Sequence, residues 1–89
     1  MLKQTLTIVN KLGLHARAAT KLVRLSSQFD SSIQLKRKQR EVNGKSIMGV
    51  MLLAAAKGCE IELSVDGVDE KIAMSQISNL IKDGFGEEE

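Results

Sequence analysis

The stretch Glu60 to Asp66 alternates without a break, with Ile61, Leu63 and Val65 on one side and Glu60, Glu62 and Ser64 on the other. A period of two sends successive side chains to opposite faces of a strand, so this segment needs a sheet with one dry face and one wet face. Leu2 to Val9 repeats the pattern. Leu6 and Ile8 point inward, Leu2 and Gln4 continue that face, and Thr5 and Thr7 point outward. Ser32 to Arg37 follows suit through Ile33 and Leu35, and Glu41 to Asn43 can make a short return strand.

Between these segments the apolar spacing becomes helical. Ala16 to Phe29 carries Ala19, Leu22, Val23, Leu25, Ser26 and Phe29 on one stripe, with Lys21 and Arg24 turned outward. Ser46 to Leu53 is apolar nearly all round, and it can end there or extend through Ala54 to Ala56 with Gly58 as the stop. Asp69 can cap a last helix whose stripe is Ile72, Ala73, Ile77, Leu80 and Ile81. Strands that are polar on one face need helices only on the other. The order β-α-β-β-α-β-α therefore predicts an α/β (α+β) two-layer sandwich with a mostly antiparallel sheet. At 89 residues, 43% of them hydrophobic, one domain over 1–89 is expected, with 84–89 a frayed acidic tail.

Composition narrows the chemistry. A net charge of +2 is too mild to imply a nucleic-acid or membrane partner. With a single histidine and a single cysteine, a multi-histidine metal site and an internal disulfide are both excluded. Cys59 fits a reducing compartment and a small buried role, and no signal peptide or ~20-residue membrane span is visible. The expectation is a soluble cytoplasmic monomer without metal or cofactor. The basic run Lys36 to Arg40 lacks interleaved aromatics and spans a hairpin turn, so it reads as solvated.

Gly13-Leu14-His15-Ala16-Arg17 lies between the first strand and the first helix. A helix N-terminus offers free N–H groups and the positive end of the dipole. Gly13 would permit close backbone approach to whatever His15 carries. A neutral imidazole nitrogen can accept a phosphoryl group, and Arg17 can hold its oxygens with a planar fork of donors. The other reading is a solvated loop histidine beside an unrelated arginine. Ser46 likewise reads first as an N-cap. Ile47, Met48, Met51 and Leu52 cannot all be buried in so small a domain, so some of them would form exposed apolar surface of the kind that docks partners.

Residues 13–19, Gly-Leu-His-Ala-Arg-Ala-Ala, and residues 43–51, Asn-Gly-Lys-Ser-Ile-Met-Gly-Val-Met, resemble the active-site motif and the regulatory-serine signature of the HPr family. These are the histidine-containing phosphocarriers of the bacterial phosphotransferase system. The resemblance covers essentially the whole chain. It implies an open-faced sandwich of four antiparallel strands with three helices on one face. It also implies that His15 takes a phosphoryl group on Nδ1 from enzyme I, originally from phosphoenolpyruvate, and passes it to a histidine of an IIA-type acceptor. Arg17 stabilises the phosphate, and Ser46 is a target of HPr kinase/phosphorylase. Leu14, Thr20, Lys21, Arg24, Lys45, Ile47, Met48 and Met51 form the partner-binding surface. Such a protein is a carrier that turns over only with partner enzymes, not an enzyme itself. The family's usual proline after the arginine is Ala18 here, and two branches stay open, sugar transport or nitrogen-related regulation. Outside the family, the element order also suits a small RNA-binding or adaptor domain.

Overall fold

The computed structural model describes residues 1–87. Strand β1 (Leu2–Thr7) leads through a turn into helix α1 (Ala16–Ser26). A hairpin of β2 (Ser32–Arg37) and β3 (Arg40–Asn43) follows, then the short helix α2 (Ile47–Leu52), β4 (Glu60–Asp66) and α3 (Glu70–Lys82). All four strands form one antiparallel sheet in the order β1-β4-β2-β3. The helices cover one face, as expected, with α3 against β1 and β4 and α2 against β3.

The alternating residues explain this architecture. Ile61, Leu63 and Val65 of β4 are buried, as are Leu6 of β1 and Ile33 and Leu35 of β2. Registers such as Leu6 to Ile61 and Leu35 to Leu63 bring these residues side by side. Helices supply Ala18, Ala19, Leu22, Val50, Ala73, Ile77 and Ile81 from above. Both phenylalanines lie outside the strands and are buried, so the open face of the sheet offers no base-stacking platform.

Several local expectations give way to tertiary packing. Helix α1 stops at Ser26 rather than Phe29, because the chain tightens there (Phe29 N–H to Ser26 O, 3.2 Å) and folds Phe29 back into the core. Helix α2 ends at Leu52 and does not run on to Gly58. Ala54 adopts φ 51°, an unfavourable conformation for a residue with a Cβ. The residue that follows holds it in place: Leu14 N–H donates to Ala55 O (2.9 Å), and Ala55 is buried. The carbonyls left at the end of α2 are taken by the basic hairpin. Arg37 Nη1 donates to Leu53 O (3.1 Å) and Arg40 Nη1 to Leu52 O (3.2 Å), so these two residues of the run are not merely solvated. Cys59 is half-buried against the core rather than fully enclosed.

The expected stripe of α3 is also adjusted. Ile72 is exposed, and Met74 and Ser78 are buried with Ala73, Ile77 and Ile81. The tail differs most. Residues 84–87 are not frayed: Gly84–Gly86 form a 3-10 turn whose Phe85 is 1% exposed. The high apolar area of one aromatic ring outweighs the cost of ordering a few residues. Glu88 and Glu89 of that expected tail lie outside the described residues.

Asp69 occupies the N-cap position of α3 but makes no capping bond. Its carboxylate instead accepts from the Ser31 hydroxyl, from Asp30 N–H (2.8 Å) and from Ser31 N–H (2.9 Å), tying α3 to the start of β2. These donors, the Ser31 hydroxyl foremost, hold its pKa below the ordinary 3.8. A lowered carboxyl pKa contributes stability that is complete above the ordinary value and lost as pH falls through the lowered one. Asp69→Asn is therefore expected to be less stable than the parent near neutral pH. The gap should shrink below pH 3.8. Urea midpoints across an acid series measure it, and a pH-independent gap would contradict the assignment.

Candidate functional site

The turn from β1 into α1 is built so that His15 ends the loop and begins the helix. Ile8 N–H still pairs with Cys59 O (2.9 Å), so the β1 ladder persists to that point. The chain then turns over Asn10, whose side chain is buried and donates to Gly13 O (2.8 Å). Gly13 has φ 66°, and a Cβ there would lie 2.5 Å from Ala55 O. The close passage of the Ala55–Ala56 backbone therefore requires glycine at this position.

His15 is the N-cap of α1, with extended backbone at φ −75° and ψ 178°. Its Nδ1 accepts from Arg17 N–H at 3.3 Å. Placing a ring nitrogen there sets it against the free N–H groups and positive dipole end of the helix, with no acidic residue in the first turn. Its Nε2 faces the opposite way and meets Glu87 Oε2. A pocket beside the ring is lined by Lys11, Leu12, Arg17, Lys21 and Glu87. Three of these are cationic, which suits a dianionic group. The Arg17 side chain is exposed on this rim.

Sequence reasoning missed Glu87 and Asn10. Glu87 Oε1 accepts from Asn10 Nδ2 at 2.8 Å, and this bond, with the His15 contact and the nearby Lys21 charge, lowers the carboxyl pKa against the effect of burial. The tail is further held by Lys21 Nζ, which donates to Phe85 O at 2.7 Å. The one available signal was Phe85, an aromatic isolated between glycines, since an aromatic residue seldom stays in water.

The expected docking residues divide. Ile47, Met48 and Met51 are exposed, Met48 at 77%, while Val50 and Leu53 of the same segment are buried. Leu52, at the end of α2, and Leu12, in the turn before His15, are also exposed. Leu14 is a correction: it is 5% exposed and belongs to the core, because its backbone bond to Ala55 turns its side chain inward. Thr20 is half-buried and bonds back to Ala16 O (2.8 Å). Lys45 is half-buried with Nζ on Phe29 O (2.7 Å), and Arg24 is exposed.

The chain is similar to known proteins along its whole length. A family model described as PTS HPr component phosphorylation site matches residues 2–83. The chain is 55% identical over 89 residues, all of both chains, to a phosphocarrier protein HPr of Neisseria meningitidis. It is 54% identical over 88 residues, 99% of each chain, to one of Xylella fastidiosa. The crystal structure of HPr-C-His from Thermoanaerobacter tengcongensis superposes with a TM-score of 0.96 at 43% identity, covering all of both chains.

Ser46 caps α2 by accepting from Gly49 N–H at 3.1 Å. Ser46→Ala should cost about 1 kcal/mol, whereas Ser46→Asp keeps the cap, suits the dipole and should stay within about 0.5 kcal/mol of the parent. Chemical denaturation midpoints of the three proteins test this, and an Asp variant as unstable as the Ala variant would contradict it.

Proposed function

Because this chain belongs to the HPr family of phosphocarriers of the bacterial phosphotransferase system, we propose that His15 Nδ1 accepts a phosphoryl group from enzyme I. Enzyme I draws the group from phosphoenolpyruvate, and His15 passes it to a histidine of an IIA-type acceptor, in sugar uptake or its regulation. The observation that carries this reading is the His15 ring at the head of α1, with Nδ1 against Arg17 N–H and the cationic pocket beside it.

The transfer asks little covalent chemistry of the protein beyond a lone pair. Catalysis is mainly position and charge. As the Nδ1–phosphorus bond forms, the Nδ1 lone pair no longer accepts from Arg17, and that N–H turns to a phosphoryl oxygen. The Arg17 guanidinium can reach the same group from the exposed rim and bind two oxygens at once. Ala18 leaves a further backbone N–H in the first turn that the family's usual proline would lack.

Docking is assigned to the exposed side chains of α2, Ile47, Met48 and Met51, with Thr20, Lys21, Arg24 and Lys45 around them. Flexible thioethers adapt to enzyme I and to acceptors of different shape. Ser46 at the edge of this surface is a phosphorylation site for HPr kinase/phosphorylase. A phosphate there keeps the cap and adds charge where partners dock. The protein works as a single-domain monomer in the cytoplasm.

The deciding experiment is incubation with phosphoenolpyruvate and a bacterial enzyme I. An acid-labile adduct should form on the parent. None should form on His15→Ala, which should keep its melting curve because the ring lies at a loop–helix junction. Label on the folded His15→Ala protein would overturn the reading. Arg17→Lys keeps charge but not the fork and should slow single-turnover transfer about tenfold in at least one direction, the equivalent of ~1.4 kcal/mol in barrier. Parental rates in both directions would make Arg17 an ordinary surface charge.

A further inference from the structure

The transfer as proposed leaves one group beside the ring without a role. Glu87 meets His15 on the Nε2 side, away from the nitrogen assigned to phosphorus. Its two carboxylate oxygens are used separately: Oε2 faces His15 Nε2, and Oε1 accepts from Asn10 Nδ2 at 2.8 Å. Asn10 is 1% exposed, and the same amide nitrogen donates to Gly13 O at 2.8 Å. The amide is therefore fixed to the turn that carries His15. Glu87 itself is delivered by the buried ring of Phe85 and by the bond from Lys21 to the Phe85 carbonyl.

These contacts specify one form of the imidazole. An ionised carboxylate only accepts, so Nε2 must carry the hydrogen that joins it to Glu87. On the other side Arg17 N–H can only donate, so Nδ1 must present its lone pair. Two independent partners thus ask for the Nε2–H tautomer, and the hydrogen bond made by one ring nitrogen decides the state of the other.

Resting on the phosphocarrier reading above, we propose that Glu87, held by Asn10, is a positioning residue for transfer: it keeps the proton on Nε2, leaves Nδ1 free to attack, and balances the charge that phosphorylation creates. In the step itself the Nδ1 lone pair forms the new bond to phosphorus. The bond from phosphorus to the donor's nitrogen breaks, and its electron pair returns to that nitrogen. No proton leaves Nδ1, because none was there. The Nε2 proton stays in place, the ring becomes cationic, and the Glu87 carboxylate lies against it. On the return step the ring gives up the group and its charge together. Asn10 makes no hydrogen bond to the ring, and acts through the orientation of Glu87 and through its bond to Gly13 O in the turn before His15.

The test uses three variants, Glu87→Ala, Glu87→Gln and Asn10→Ala, each checked for folding by a melting curve. Nitrogen-15 NMR of the ring reads the tautomer, and single-turnover phosphorylation by enzyme I reads the transfer rate. Glu87→Ala should raise the Nδ1–H share of the neutral ring and slow transfer about tenfold, as loss of an orienting partner commonly does. Glu87→Gln retains a carbonyl acceptor without the charge. It should recover the tautomer signal while transfer stays slower than in the parent. Asn10→Ala should change both readouts in the same direction as Glu87→Ala but by less. In the double variant Asn10→Ala/Glu87→Ala the two losses should be less than additive, since Asn10 acts in part through Glu87. If Asn10→Ala does not fold, the two Glu87 variants decide the matter. A folded Glu87→Ala protein with the parental tautomer and rate would overturn the inference. That outcome would leave His15-dependent labelling intact, so it is distinct from a failure of the phosphocarrier reading, in which the His15→Ala protein would still take label.

Discussion

The apolar face of β4, Ile61, Leu63 and Val65, is the contact surface on which the rest of the molecule is organised. The strand lies between β1 and β2, so its inward side chains meet both neighbours and the helices above. Burial of three large aliphatic side chains is worth roughly 1.5–3 kcal/mol each before entropy is counted. Its outward residues are polar, which forbids a second layer on that side. Every helix must therefore share one face, and the helix starts that carry His15 and Ser46 belong to that single layer. The one-sided sheet is in this sense the first requirement of the site.

The site then depends on how a helix begins. A nitrogen lone pair at the N-cap answers an otherwise unsatisfied N–H, as serine or aspartate oxygens do elsewhere. In α1 that lone pair belongs to His15 Nδ1, and in α2 the same task falls to the Ser46 hydroxyl. The two residues with proposed phosphoryl chemistry are thus both helix caps, held in place before any group arrives. Capping also accounts for their positions without strain, since both have ordinary extended backbone.

Helix α2 shows where local preference and global packing diverge. Its six residues are too few to be stable alone. Val50 and Leu53 anchor it, Ser46 closes its start, and Arg37 and Arg40 hold the carbonyls at its end. With both ends and one side secured, the remaining face can leave Met48 in water. A surface that is apolar yet well supported is suited to transient docking, because partners lose little entropy in ordering it.

Much of this was legible in the chain itself. The period-two segments became the strands at nearly their predicted bounds, the element order followed, and the loop–helix junction at His15 and the cap at Ser46 could be named from residue type and position. These features depend on neighbours within a pleat or a helical turn, and local sequence reports such neighbours directly. What only the tertiary structure decided are contacts between distant segments. Leu14 turned inward because of Ala55, α2 stopped early because of the same loop, and Arg37 and Arg40 left the solvated turn for the carbonyls of α2. The clearest case is Glu87, separated from His15 by 72 positions and expected in a frayed tail. Its place beside the ring follows from the burial of Phe85 and from the amide of Asn10. No pattern along the chain records these contacts, because their free energy exists only once the sheet and helices have brought the segments together.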